Sequence, residues 1–267
     1  MKKSVSLSLF KADSRSPILF SGDIDNTIPR IKQLGYDGVD LFVLDPYADI
    51  SKKAIKKLNN HALGVGVVMP AALTKEGLYL GHMDAQIRRT IISRMKQIIE
   101  YASQVDAMVS LGLVRGSVAG HDTTEALLER FADSVEKLLP FAQKYGVDLV
   151  LEPINRYEIN TLNSSLEAKA FIDDYQLPIY LMLDTFHMNI EDVSIEESFR
   201  VCGDLLKHVH FLDSNRLAPG MGHMDMRMIY RTLKEIDYQG YLCLEALALP
   251  DTETCAIKGM EFFRSVL

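Results

Sequence analysis

The sequence predicts an α/β chain folded as a single (β/α)8 barrel, the TIM-barrel architecture, over residues 1–267. Three observations carry that expectation. Short β-rich runs alternate with stretches of helical periodicity from end to end, a pattern that calls for parallel strands joined by crossover helices. Eight such runs fit the 267 residues, about 33 per unit, which is the length of a βαβ step. No linker, low-complexity tract or break in composition divides the chain, and its length suits one barrel of ~200–250 residues.

The first candidate strand is Ser4–Phe10. It is short, interrupted by Ser6 and Ser8 and followed by Lys11 without a small-residue cleavage site, so it reads as a strand and not as an export signal. Gly38–Leu44, Gly64–Met69 and Ala107–Val114 follow as strands two to four. Between the last two, Asp84–Gln104 places Ile87, Ile91, Ile92, Met95, Ile98 and Ile99 at helical spacing. Thr124–Tyr145 repeats the pattern with Leu127, Leu128, Phe131, Val135, Leu138 and Leu139. Strands five to eight are Asp148–Ile154, Ile179–Thr185, Lys207–Leu212 and Tyr241–Leu247. The longest apolar run, Leu63–Leu73, falls well short of the ~20 residues of a membrane helix. A doubly wound open sheet is the competing architecture, but Gly64-x-Gly66 runs into Val67, Val68 and Met69 without the third glycine of a dinucleotide fold. The P-loop, the H-E-x-x-H zinc motif and the G-x-S-x-G elbow are also missing.

Composition narrows the function. Hydrophobic residues make up 48% and charged residues 24%, with no tryptophan, as expected of a globule with an aliphatic core. Lys and Arg number 29 against 36 Asp and Glu, and a net charge of −7 argues against a grip on nucleic acid or anionic membrane. The expected partner is a small molecule. Cys202, Cys243 and Cys255 form no C-x-x-C pair, which fits a reducing cytoplasm.

Active sites of such barrels gather at the C-terminal ends of the strands. Four strands in succession end there in a polar residue: Leu149-Val150-Leu151 runs into Glu152, Leu181-Met182-Leu183 into Asp184, Val209 into His210 and Leu242-Cys243-Leu244 into Glu245. Their spacings of 32, 26 and 35 residues each advance about one strand–helix unit, so all four can ring one mouth. A lone strand-end acid is often just satisfied by a neighbour; four in register point to a metal site. Three carboxylates and one imidazole suit Mn²⁺ first, and Co²⁺ or Mg²⁺ as well, at an open site with positions left for substrate oxygens. Such an ion polarises a hydroxy-ketone so that the adjacent carbon loses its proton to give an enediolate. Glu152 and Glu245, three strands apart, approach a central substrate from nearly opposite sides, which allows removal of a proton from one face and its return to the other.

Longer motifs extend this reading. Glu152-Pro153-Ile154-Asn155-Arg156-Tyr157-Glu158, the Asp184–Asp192 block and His210-x-x-Asp213-Ser214-Asn215-Arg216 followed by Pro219-Gly220-x-Gly222-His223 resemble the xylose-isomerase-like sugar isomerases and epimerases. Within them the resemblance is to the D-tagatose/D-allulose 3-epimerase group, with Gly112-Leu113-Val114-Arg115-Gly116 and the Asp184–Val193 block most similar to its 5-keto-L-gluconate epimerase branch. It implies metal ligands at Glu152, Asp184, His210 and Glu245, an acid/base pair at Glu152 and Glu245, and substrate contacts from Glu158, His187 and Arg216. It implies a keto sugar or keto sugar acid as substrate and a homo-oligomer, dimer or tetramer.

One departure bears on the substrate. Ketohexose epimerases of the group commonly wall the sugar with tryptophan, and this chain has none. Arg115, read as the end of strand four at the mouth, is expected either to pair with a substrate carboxylate or phosphate or to lie solvated over the rim. His208, two residues before His210 on the same strand face, is either a partner of the ligands lower in the barrel or a hydrogen-bonded core histidine. Rival activities on the same barrel are an aldose–ketose isomerase such as hydroxypyruvate isomerase, an inosose-type dehydratase, an abasic-site endonuclease and a silent sugar-binding protein.

Overall fold

A strand covered on both faces favours apolar residues, and Gly64–Met69, Leu149–Leu151 and Tyr241–Leu244 follow that rule while Lys2–Ser8 and Leu206–His210 bury polar residues instead. The computed structural model describes residues 1–13 and 15–266. Strands β1 (Lys2–Ser8), β3 (Gly38–Phe42), β4 (Gly64–Met69), β5 (Met108–Ser110), β6 (Leu149–Leu151), β7 (Tyr180–Asp184), β8 (Leu206–His210) and β9 (Tyr241–Leu244) pair in that order, all parallel. The ring closes where β9 returns to β1, from Lys2 opposite Tyr241 to Val5 opposite Leu244. A two-residue strand, β2 (Phe20–Ser21), adds to the end of β1.

Around the barrel lie helices α1 (Ile24–Leu34), α2 (Asp49–Asn60), α3 (Ala85–Ser103), α4 (Thr124–Glu136), α5 (Leu139–Tyr145), α6 (Ser165–Asp174), α7 (Thr185–Glu191), α8 (Ile195–Cys202), α9 (Met226–Glu235) and α10 (Thr252–Val266). In α3 the residues Ile91, Met95, Ile98 and Ile99 are buried on the sheet, each worth ~1.5–3 kcal/mol relative to exposure. None of the helices among the described residues is long and apolar enough to cross a membrane.

Two elements differ from the sequence expectation. The run Thr124–Tyr145 is two helices, because Pro140 has no N–H to continue the ladder and clashes with the preceding turn, so it starts α5 instead. Ala107–Val114 keeps only Met108–Ser110 as strand; Gly112 leaves the extended region and Leu113–Arg115 forms a 3-10 turn.

The barrel interior is divided by polarity. Val67, Met69, Val150 and Met182 with Phe42 form an apolar cluster on one side. The side formed by β1, β3, β8 and β9 buries Ser4, Ser6, Ser8, Asp40, His208 and His210 completely. Buried polar groups at this density require partners: Ser4, His208 and His210 find theirs in Asp40, while the Ser6 and Ser8 hydroxyls donate to backbone carbonyls.

Candidate active site

The four strand-end residues converge. Asp184 and His210 end β7 and β8 directly opposite each other in register, while Glu152 and Glu245 follow the last residues of β6 and β9. One donor atom from each of the four lies within 4.8 Å of the others, and all four residues are buried. His210 Nδ1 is the hub, 3.2 Å from Glu152 Oε1, 3.4 Å from Glu245 Oε2 and 3.7 Å from Asp184 Oδ2.

This set fits a divalent cation. Asp184 is both the last residue of β7 and the N-cap of α7, so its Oδ1 accepts from the Phe186 N–H at 2.7 Å and its other oxygen is aimed at the cluster. That oxygen, Oδ2, is buried without a hydrogen-bond partner, and so is His210 Nδ1. Orphaned donors of this kind are costly unless an ion takes them up, and carboxylates with one imidazole suit a hard or borderline metal.

The electrostatics agree. Burial would raise the Asp184 carboxyl, but its neighbours His187, His210 and Arg216 outweigh it and bring it down to about 2. Burial works against a charged His210, yet Glu245, Asp184, Asp40 and Glu152 hold its imidazole well above the ordinary histidine value. Without a cation the ring therefore keeps a proton at neutral pH, in the place where a metal needs a lone pair. Metal binding is expected to release about one proton and to tighten as pH rises. Calorimetric titration in buffers of different ionisation heat measures that release; none near neutral pH would refute the assignment of His210.

A second group stands above the cluster. Asn155 is oriented by two contacts: its Oδ1 accepts from the Tyr157 N–H at 2.9 Å and its Nδ2 donates to Glu158 Oε1 at 3.0 Å. The same amide nitrogen lies 2.7 Å from His187 Nδ1, which must then accept, leaving Nε2 of the neutral ring to carry a proton. Arg216 bridges the group to the acids, 2.6 Å from Glu158 Oε1 and 3.5 Å from Glu245 Oε2, with its guanidinium 4.9 Å from the centre of the Phe186 ring. Its backbone has φ of 60°, a strained conformation for a residue with a side chain. Asp213 holds that turn: its buried carboxylate accepts from the N–H groups of Ser214, Gly220 and Met224.

Arg115 requires a correction. It is neither at the mouth nor over the rim but fully buried. Its five N–H donors all go to backbone carbonyls: Nε and Nη2 to Thr161, Nη2 also to Leu162, and Nη1 to Gly112 and Glu152. Desolvation lowers it to about 10, so it stays charged at neutral pH. No donor is left for a substrate. Its place turned because the strand stops at Ser110 and the following turn carries the side chain beneath the β6 loop.

Glu152, Glu158, His187, Arg216 and Glu245 line one end of a cleft of about 920 Å³, its open mouth included. The lining also includes the apolar Phe10, Pro17, Ile18, Phe42, Met69 and Leu113, and the exposed Asp13 and Lys75.

Sequence reasoning passed over Asp40 and gave Asn155 and Asp213 no role. Asp40 carried a readable signal, an acid in the middle of the otherwise apolar run Gly38–Phe42. His208 does lie lower in the barrel, with Nε2 2.6 Å from Asp40 Oδ2.

Comparison with known proteins gives a consistent result. The profile of the xylose isomerase-like TIM barrel family matches residues 28–266. An L-ribulose 3-epimerase of Methylomonas sp. (strain DH-1) is 29% identical over 249 residues, covering 86% of this chain and 82% of that protein. A 3-dehydro-D-guloside 4-epimerase of Escherichia coli (strain K12) is 26% identical over 249 residues, covering 88% and 91%. The solved structure of an L-ribulose 3-epimerase superposes with a TM-score of 0.83 at 25% identity, over 100% of this chain and 94% of that one.

Proposed function

The chain belongs to the xylose isomerase-like TIM-barrel family, and from that premise we propose that it is a divalent-metal-dependent epimerase that inverts the carbon next to the ketone of a keto sugar. The observation that carries this reading is the placement of Glu152 and Glu245 on either side of Asp184 and His210, both within 3.4 Å of His210 Nδ1. Relatives named as 3- and 4-epimerases of keto sugars support the same reaction class.

Glu152, Asp184, His210 and Glu245 would hold a Mn²⁺, Co²⁺ or Mg²⁺ ion, which would supply Lewis-acid polarisation of the ketone. The rest belongs to the side chains. Arg216, His187 and Glu158 bind the oxygens at the ketose end, with the His187 Nε2 proton as a donor. One glutamate takes the C3 proton, and the C–H electron pair becomes the C2–C3 double bond of an enediolate. The other returns a proton to C3 from the opposite face and restores the ketone. Burial, with the neighbouring Glu152 charge adding to it, raises the Glu245 carboxyl despite His210 and Arg216. Whichever glutamate takes the proton in one direction returns it in the other.

Candidate substrates run from free ketohexoses to keto-hexonates such as 5-keto-L-gluconate and D-tagaturonate. With Arg115 committed to carbonyls, the cation nearest the far end of the cleft is the exposed Lys75, beside Asp13. The apolar lining, and the presence of Asp13 as well as Lys75 along the cleft, favour a neutral ketose. Aldose–ketose isomerisation uses the same enediolate and is separated by its product. Cys202, Cys243 and Cys255, all buried and free, support a cytoplasmic setting.

The test is to strip the protein with chelator, reload it with Mn²⁺, Co²⁺ or Mg²⁺, and incubate it in D₂O with ketopentoses, ketohexoses and keto-hexonates. Deuterium at the carbon beside an unmoved ketone, with the epimer as product and only in the presence of metal, is the expected outcome. Carbonyl migration would favour the isomerase, and no exchange with any member of the panel would refute the enediolate chemistry.

A further inference from the structure

Asp40 sits in the middle of β3, fully buried, and touches neither the cleft nor any of the three acids of the cluster. Its Oδ2 lies 3.1 Å from His210 Nε2 and 2.6 Å from His208 Nε2, and its Oδ1 accepts from Ser4 Oγ at 3.4 Å. Gly66 makes the room: a Cβ there would stand 2.7 Å from Asp40 Oδ1 and 2.8 Å from His208 Cε1. A carboxylate only accepts, so both imidazoles must present N–H groups to it.

Donor atoms of Asp40, His208, His210 and Cys243 also lie within 4.8 Å of one another, which raises the alternative of a second ion. The distances decide against it. Two ligands on one zinc-like ion at ~2.0 Å bonds sit ~3.3 Å apart, whereas 2.6 Å is the length of a charge-assisted hydrogen bond.

We propose that Asp40 is a positioning residue: by accepting the His210 Nε2–H it fixes that ring with its Nδ1 lone pair turned to Glu152, Asp184 and Glu245, and His208 in turn fixes Asp40. The inference rests on the metal-dependent reading above. A histidine ligand anchored through its other nitrogen is a better donor and loses less freedom on binding, and removing such an anchor weakens metal affinity 10–100-fold as an order of magnitude. His208 Nδ1 is buried without a partner, so His208 serves through its Nε2 hydrogen bond alone.

Two measurements test this on the full-length protein. Competition with a chelator gives the Co²⁺ affinity of wild type and Asp40→Asn, and ¹⁵N-histidine NMR of the wild type loaded with diamagnetic Zn²⁺ reports which His210 nitrogen carries the proton. We expect Asp40→Asn to bind Co²⁺ roughly 10–100-fold more weakly with its circular dichroism unchanged, and the wild-type His210 to be protonated at Nε2. Affinity within about threefold of wild type, or metal bound through Nε2, overturns the proposal. If Asp40→Asn does not fold, the wild-type spectrum decides alone. Failure of the wild type itself to bind any of these ions counts against the metal-dependent reading instead.

Discussion

Glu245→Gln is expected to lose epimerisation by ~10³-fold or more while retaining one-sided exchange of the substrate proton. The amide oxygen of glutamine still reaches the cluster, so metal content should fall less than activity. What disappears is the proton that Glu245 delivers. General acid–base groups contribute ~10²–10⁴-fold, and on the proposed assignment the lost group is the carboxyl that completes inversion. Glu152 remains able to remove the C3 proton of the epimer that faces it, and the enediolate can collapse only by return from the same face. In D₂O that substrate should gain deuterium with retention, and its epimer should gain none. Glu152→Gln should show the mirror pattern. Quantitative NMR of both epimers, with metal analysis of each variant, checks this. Retention of most activity by either variant would mean that the two-glutamate assignment is wrong.

The contrast between the residues that converge where the sequence places them and those that do not is a matter of how each signal is encoded. The cluster of Glu152, Asp184, His210 and Glu245 was legible because a parallel barrel converts sequence position into height. A polar residue at the end of an apolar run, repeated at one strand–helix interval, must reach the same rim. The helices were legible through period alone, except where Pro140 breaks Thr124–Tyr145, a local signal that the continuous apolar spacing masked. Asp40 depends on His208 and His210, 168 and 170 residues away, and no local pattern records such a pairing. Asp213 likewise spends its carboxylate on backbone N–H groups, which leave no trace in side-chain identity.

Arg115 is the instructive case, because its sequence context was right and its direction was not. The motif Gly112–Gly116 does close the fourth strand–helix unit next to the cleft, but whether a long cation points out to a ligand or in to the backbone depends on the turn, not on the residue. In the structure it acts as a scaffold. Nη1 holds the carbonyl of Glu152 at 2.8 Å and Nη2 holds that of Thr161 at 2.8 Å, tying the ends of the β6 loop that carries Glu158. Arg115→Ala should therefore destabilise the fold by on the order of 3–5 kcal/mol, since it empties a buried volume and strands the carbonyls of Glu152, Thr161 and Leu162 without donors. Arg115→Lys, with three donors on a single nitrogen, can satisfy only part of the set and should lie between alanine and wild type. Urea unfolding of both variants gives the stabilities. The kinetic signature separates the scaffold from an anchor. If Arg115 positions Glu152, then Arg115→Lys lowers kcat by a similar factor for neutral ketoses and keto-hexonates alike. A loss confined to the acids, with stability unchanged, would mean that the guanidinium reaches the substrate after all.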